Sequence, residues 1–317
     1  MKESVLKNIL VNIRALFTTN IRRGINQNTN RLNDLENRVD ERFYFLAVLD
    51  YYNQHESEAK KYIKELNFLR QNWNFCNFPY DKDSQCYEIA SGFDEVSRMP
   101  YVVHKGKKLF FPSNYSVDAA AQTYLNYVQV EKLLGVEDTE GTPHQYQSSA
   151  VHVSEGDVVF DIGAAEGLFA LDQVENASHV FVVESNPVWM APLRNTFAPY
   201  GDKVTIIQKF ISTVDTENTL SLGKLLSDVN YVSAFVKMDI EGYELPAITS
   251  AMDFLKEKQG IKIAAASYHR QHDAEELKTL FDNLGYRSEF SNGYMLFHMY
   301  DTPLPPYFRK GVIRARK

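Results

Sequence analysis

Val158-Val159-Phe160-Asp161-Ile162-Gly163-Ala164-Ala165-Glu166-Gly167 is the stretch on which the fold reading turns. An apolar run closes on an acid and opens into a D-x-G-x-x-x-G loop, the pattern of a strand-to-helix corner in an open α/β sheet. Gly163 and Gly167 leave out side chains where the backbone must turn sharply and approach a ligand. Working outward from residue 156, apolar runs alternate with amphipathic patterns: Val158 to Phe160, Val180 to Val183, Val204 to Ile207, Ala234 to Met238, and Ile261 to Ala266. Leu245, Ile248, Met252 and Leu255 illustrate the helices between them. Near-continuous hydrophobic strands separated by helices imply a parallel sheet covered on both faces.

Towards the end of the core, Arg287 to Phe290 and Tyr294 to His298 flank Ser291-Asn292-Gly293. An Asn-Gly pair between extended runs is the strongest short hairpin signal. The sequence therefore predicts an α/β, Rossmann-like sheet, mostly parallel, closed by a terminal antiparallel hairpin, as class I methyltransferase sheets close.

The loop chemistry selects the ligand. Ala165 stands where the dinucleotide fingerprint would need its second glycine. Glu166 lies inside the loop, and a carboxylate about 4 Å from a phosphate would cost on the order of 4 kcal/mol at an effective dielectric near 20, roughly a thousandfold in affinity. A sulfonium and an ammonium are cations that the same acid does not oppose. Glu184 closes the second strand 17 residues beyond Gly167, near the spacing at which an acid meets ribose hydroxyls. These features point to S-adenosylmethionine, with Asp161, Gly163, Ala164, Glu166, Gly167, Glu184, Ser185 and Asp239 as its contacts.

The flanks read differently. Leu6, Leu10, Ile13, Phe17, Ile21 and Ile25 form one helical stripe, and Leu32, Leu35, Val39, Phe43, Leu46 and Leu49 another, flanked by charges as in a coiled-coil seam. Residues 1–75 are thus expected to be a helical arm that makes a homo-oligomer or packs on the core. A second reading uses Lys2, Lys7, Arg14, Arg22 and Arg23 to rest the first helix on an anionic membrane surface. A helix is expected from Glu56 to Gln71, a hairpin across Pro100 to Pro112 turning at Lys105-Gly106, and a helix from Ala119 to Leu134 stopped by Gly135, all but the first within a lead-in of residues 76–150. Residues 151–300 are expected to form the cofactor domain, and residues 301–317, with their basic Arg309 to Lys317, a solvated tail.

Composition narrows the function classes. An apolar share of 44% supports a packed core, and a formal charge of −7 argues against a nucleic-acid partner. Cys76 and Cys86 show neither metal spacing nor a CxxC pair, which suits a reducing compartment, and no run reaches the ~18 apolar residues of a spanning helix. The expectation is a soluble, cytoplasmic protein.

VVFDIGAAEGLFAL, FVVESNP, FVKMDIEGYELPAI and ASYHRQHD, in that order, resemble the FkbM-type methyltransferase family over roughly Ser91 to His298. The Lys237-x-Asp239-x-Glu241-Gly242-x-Glu244 block is the most specific part. Thr142-Pro143-His144-Gln145-Tyr146 resembles a Pro-His-Arg-Tyr segment of one branch, with Gln145 in place of the arginine. The resemblance implies O-methylation of a hydroxyl on a sugar, a polysaccharide or a secondary product, and it makes His144 and Tyr146 candidates for substrate contact together with Tyr268.

An in-line methyl transfer to a hydroxyl needs positioning and benefits from a base at the strand ends. Asp239 and Glu241 after the fourth strand, and His269 after the fifth, are the catalytic candidates, with His269 or Asp239 as proton acceptor and Glu241 as orienting group. A second reading gives Asp239, Glu241, His269 and Asp273 a divalent ion. Glu244 reads equally as a catalytic group and as a favourable charge at a helix start. Two rival functions stand beside the enzyme: a nicotinamide-dependent oxidoreductase, opposed by Ala165, Glu166 and the terminal hairpin, and a non-catalytic coiled-coil scaffold carrying a cofactor domain.

Overall fold

The computed structural model describes residues 42–72, 88–131, 141–297 and 304–317, and the chain divides into two compact units, residues 1–75 and 76–317. In the first, helix α1 (residues 42–54) is followed by α2 (Glu56–Ala59), a 3-10 turn (Lys60–Tyr62) and α3 (Ile63–Asn72). Phe45, Val48 and Tyr52, spaced three and four apart, are buried together with Tyr62, Leu66 and Leu69. The Tyr52 and Tyr62 rings meet edge to face, with centroids 5.4 Å apart. The anticipated seam falls on the other side: Phe43 is 69% exposed and Leu46 50% exposed. The two aromatics at 45 and 52 pull their own face inward. The first stripe and the residues of the second before 42 lie outside the described residues.

The second unit opens with β1 (Ser91–Asp94), β2 (Met99–His104) and β3 (Lys107–Phe110), an antiparallel meander in which Tyr101 pairs with Phe110 and His104 with Lys107. Lys105 and Gly106 both take positive φ, as the expected two-residue turn requires. Helix α4 (Val117–Glu131) follows; Gly135, its expected stop, lies outside the described residues. Buried His104 ties this region to the core, its Nδ1 lying 2.8 Å from the Tyr124 hydroxyl of α4 and its Nε2 2.8 Å from Asp172.

The core runs β4 (Val158–Ile162), α5 (Leu168–Gln173), β5 (His179–Val183), α6 (Pro187–Phe197), β6 (Val204–Ile207), β7 (Phe210–Ser212), β8 (Thr219–Ser221), α7 (Leu222–Ser227), β9 (Ala234–Met238), α8 (Glu244–Ser250), α9 (Met252–Glu257), β10 (Ile261–Ala266), α10 (Asp273–Asn283), β11 (Arg287–Phe290), β12 (Met295–Leu296), β13 (Phe308–Arg309) and β14 (Val312–Arg316). The main sheet has the order β11-β14-β10-β9-β4-β5-β6, and every strand of β10-β9-β4-β5-β6 is parallel to its neighbour. β4, β9 and all but one residue of β10 are buried, as a sheet covered on both faces demands.

Two expectations are corrected here. Arg287 to Phe290 does not fold back on Tyr294 to His298: β11 pairs antiparallel with β14, while β12 pairs with β13. The basic end of the chain is likewise no solvated tail, since β14 inserts between β10 and β11, with Val312, Ile313 and Ala315 fully buried. Val312, Ile313 and Ala315 can fill the gap in the sheet, and Arg314 reaches carbonyls at its margin, donating to Gln147 and Phe290 at 2.9 and 3.2 Å. The antiparallel closure is present, supplied by a strand of different origin.

Candidate active site

The glycine loop forms one half of the site. The Gly163 and Ala164 amides both donate to the Val183 carbonyl, which hangs the turn after β4 on the end of β5. Gly163 stands at φ +72°, and a Cβ there would lie 1.8 Å from the Asp239 carbonyl oxygen, so only glycine lets the end of β4 meet the end of β9. Gly167, at φ +81°, accommodates Leu193 and Phe197 of α6. The glycines therefore admit protein neighbours to the loop.

Three charged groups brace it. Glu184 accepts the Ala165 amide at 2.8 Å through Oε2 and the Asn186 amide at 2.6 Å through Oε1, and each oxygen retains a further lone pair. Asp161, wholly buried, accepts the Ala170 amide at 3.1 Å and lies 3.1 Å from Lys237 Nζ. Lys237 also donates to the Gly163 carbonyl at 2.7 Å. Burial disfavours its charge, but Asp161, Asp239 and Glu131 outweigh that and hold its pKa above the usual lysine value.

The other half gathers around Asp239, the residue after β9. Tyr146 donates to its Oδ2 at 2.7 Å and Tyr268 at 3.4 Å, while His144 Nε2 lies 3.3 Å away. His144 Nε2 also lies 3.2 and 3.1 Å from the two phenol oxygens. Across the cluster, His269 Nε2 is 3.3 Å from both Asp239 Oδ1 and Glu241 Oε2, and its Nδ1 is 3.4 Å from Glu244 Oε1. Phe297 packs on the Tyr268 and His269 rings at 5.0 and 5.3 Å.

Strand β14 and its approach position the lead-in loop for this contact. Ser291 donates to the Pro143 carbonyl at 2.5 Å, Arg314 to the Gln147 carbonyl at 2.9 Å, and any Cβ at Gly311 would strike the Pro143 oxygen.

The charges sort themselves by position. Burial alone would lower the pKa of His269, but hydrogen bonds to Glu241 and Glu244 and the charge of Asp239 raise it from 6.5 to about 10. Burial would raise that of Asp239, yet the His144 hydrogen bond and the charges of His269, His144 and Lys237 hold it well below the carboxylate range. At neutral pH the pair is imidazolium and carboxylate, so His269 has no lone pair to accept a proton.

The same charges bear on the metal reading. Among the described residues, Asp239, Glu244 and His269 are the group whose donor atoms come close enough for one ion. In this structure Asp239 faces Nε2 and Glu244 faces Nδ1, so an ion held by one ring nitrogen would compete with the ion pairs that a doubly protonated ring makes on both sides. Asp273 is turned to the Arg270 amide, which it accepts at 2.7 Å.

With that geometry in place, comparison with known proteins adds a family. Residues 201–288 match the family model of the methyltransferase FkbM domain. The resemblance read in the sequence is borne out over that segment, which is less than a third of the chain. No curated protein matches the chain. Solved structures that do resemble it include methyltransferase FkbM from Methylobacillus flagellatus KT, at 19% identity and TM-score 0.42, covering 54% of this chain and 46% of that one. Precorrin-6y C5,15-methyltransferase from Geobacter metallireducens GS-15 shares 16% identity at TM-score 0.37, over 53% and 84% of the two chains. An rRNA methylase from Streptococcus thermophilus shares 10% at TM-score 0.34, over 52% and 89%. The chain thus spans about half the length of the first of these.

The FkbM segment holds Asp239, Glu241, Glu244, Tyr268 and His269, whereas the glycine loop, Glu184, Ser185, His144 and Tyr146 precede it. Of the sequence candidates, His144, Tyr146, Asp239, Glu241, Tyr268 and His269 converge on one cluster. Asp161, Gly163, Ala164, Glu166, Gly167 and Glu184 converge on the loop, with Ser185 following Glu184. Glu244 belongs to the first cluster, also accepting the Ile240 amide at 2.7 Å, and its signals in the sequence were the family block and its place at a helix start. Lys237 was visible only as part of a motif. Tyr127 and Glu131 of α4 were not visible at all, because α4 lies far from the loop in sequence and carries no motif.

Proposed function

We propose that this chain is an S-adenosylmethionine-dependent O-methyltransferase whose acceptor is a hydroxyl on a sugar, a polysaccharide or a secondary product. One observation carries the reading: Gly163 of the glycine loop and the Asp239 carbonyl are in such close contact that no side chain fits between them, so donor loop and acceptor cluster share a boundary. The residues suit the donor, since the loop presents Glu166 and Glu184 rather than a cation to its ligand. When bound, the cofactor supplies an electrophilic methyl group.

Asp239 then accepts the hydrogen bond of the acceptor hydroxyl and aligns its oxygen. It is a weak base, but an oxygen acquiring a methyl group becomes a strong acid, so a late proton transfer to a carboxylate suffices. His269 keeps that carboxylate ionised, and Glu241 and Glu244 keep His269 protonated. Tyr146 and Tyr268 fix the orientation of Asp239, while the Phe297 ring shields the His269 side. The base is thus Asp239, with His269 as its positioning partner.

The test is direct. Purified protein incubated with methyl-labelled cofactor and extracts of its host should yield a labelled product identifiable by mass spectrometry, and Asp239→Asn should retain cofactor binding while losing turnover by roughly a hundredfold or more. Absence of cofactor binding in calorimetry would refute the reading. The helical unit we read as a homo-oligomerisation element, supported by exposed Phe43 and Leu46; sedimentation of Phe43→Glu against the parent chain tests it.

A further inference from the structure

Three carboxylates of the site make no salt bridge among the described residues: Glu184, which accepts the Ala165 and Asn186 amides, Glu166, which accepts its own amide and that of Leu168, and Glu131. Asp161 pairs with Lys237, and Asp239 with His269 and His144. Glu131 is the last residue of α4, and Glu166 lies in the glycine loop and is only 5% exposed. Glu131 Oε2 is buried and has no hydrogen-bond partner among the described residues. A buried acceptor without a partner is costly unless the carboxyl is protonated or a ligand supplies the missing donor.

Location narrows what that ligand is. The Thr142 hydroxyl donates to the Val130 carbonyl, so the segment bearing His144 and Tyr146 begins beside Glu131. Glu131 lies within electrostatic range of Lys237, Glu166 and Asp161 on the loop side and of Asp239 on the acceptor side. Among the described residues, the Tyr127 and Tyr146 phenols also feel the charge of Glu131, and neither carries positive charge. Among the described residues, Glu131, Glu166, Asp161 and Asp239 thus stand against Lys237, with His269 and His144 already engaged at Asp239.

We propose that Glu131 and Glu166 together seat the α-ammonium group of the cofactor, Glu131 supplying from α4 an acceptor that the glycine loop alone lacks. This rests on the cofactor assignment above. An ammonium has three donors, which matches an unpartnered carboxylate oxygen better than a sulfonium, which has none. In the absence of ligand, burial raises Glu131 well above the usual carboxylate range and Glu166 to about 7, so at pH 7 Glu131 holds a proton and Glu166 is about half protonated, and an arriving cation displaces both shares.

Calorimetry separates the two assignments. Titrations at pH 7 in phosphate and in Tris, whose ionisation enthalpies differ, report protons released per ligand bound. S-adenosylmethionine and S-adenosylhomocysteine should each release about one to one and a half protons. Methylthioadenosine, which lacks the amino-acid end, should bind without release. Glu131→Gln, close in shape to the protonated acid, should raise the Kd of both amino-acid-bearing ligands roughly tenfold to a hundredfold while leaving that of methylthioadenosine unchanged. Glu166→Gln provides an independent second variant, and thermal melts establish that both fold. Tight binding of S-adenosylmethionine without proton release, or with undiminished affinity in both variants, overturns the ammonium seat and leaves the methyltransferase reading standing. Failure of all three adenosyl ligands to bind overturns both.

Discussion

Replacing His269 by Gln should be among the most damaging single changes in this protein, and its pH signature distinguishes a charge role from simple packing. The ring is 1% exposed and lies within 3.4 Å of Asp239, Glu241 and Glu244. Removing one member of a buried ionic cluster costs about 3–5 kcal/mol, because the partners are left uncompensated. The Glu241 side chain is 66% exposed and its share is screened, so Asp239 and Glu244 account for most of the loss. Against a typical total of ~5–15 kcal/mol, this is a large fraction. The folded pKa of about 10 exceeds the 6.5 expected when unfolded. The contribution is therefore complete below pH 6.5, declines above it, and is gone once the pH has passed 10. Urea unfolding of parent and His269→Gln should show a gap of several kcal/mol at pH 7.5 that narrows steadily towards pH 10, and adding Glu244→Gln should recover part of it. A gap below about 1 kcal/mol, or one constant from pH 7.5 to 10, would refute the reasoning.

Four further outcomes are expected. Gly163→Ala places a Cβ 1.8 Å from the Asp239 oxygen at a positive φ, and should leave the protein insoluble or lower its Tm by well over 10 °C in a melting scan. His104→Phe removes the link among β2, Tyr124 and Asp172 and should cost about 2–3 kcal/mol in urea unfolding, with cofactor affinity in calorimetry unchanged. Glu166, raised by burial from 4.5 to about 7, contributes stability that is full below pH 4.5 and lost as pH rises through 7; Glu166→Gln should flatten that segment of the ligand-free stability curve. Exhaustive chelation should leave both methyl transfer and cofactor affinity intact, and loss of either, restored by a divalent ion, would reinstate the metal reading.

Much of the architecture was legible in one dimension because it depends on local pattern. β6, β9 and β10 run over the very residues whose apolar runs announced them, and the Lys105-Gly106 turn follows from backbone geometry alone. The final sheet pairing was not legible. Asn292-Gly293 carries a strong hairpin signal, yet Gly293 turns the chain without pairing its flanks, because β14 offers β11 a longer and more apolar partner. The helical unit shows the same limit, as two stripes at helical spacing overlap in α1 and only packing decides that Phe45, Val48 and Tyr52 face inward.

The division holds for chemistry as well. Residue types and spacing by themselves determined a parallel α/β sheet, a glycine corner lined with acids, and the strand ends where chemistry would collect, since each follows from short-range periodicity and charge. Only the tertiary structure decided that Asp161 pairs with Lys237, that His269 lies among Asp239, Glu241 and Glu244 as a held cation, that Asp239 is kept ionised, and that the Glu131 carboxyl at the end of α4 is raised by burial. Those properties depend on burial and on distances between groups remote in sequence, and a carboxylate's charge state is set by what surrounds it in space.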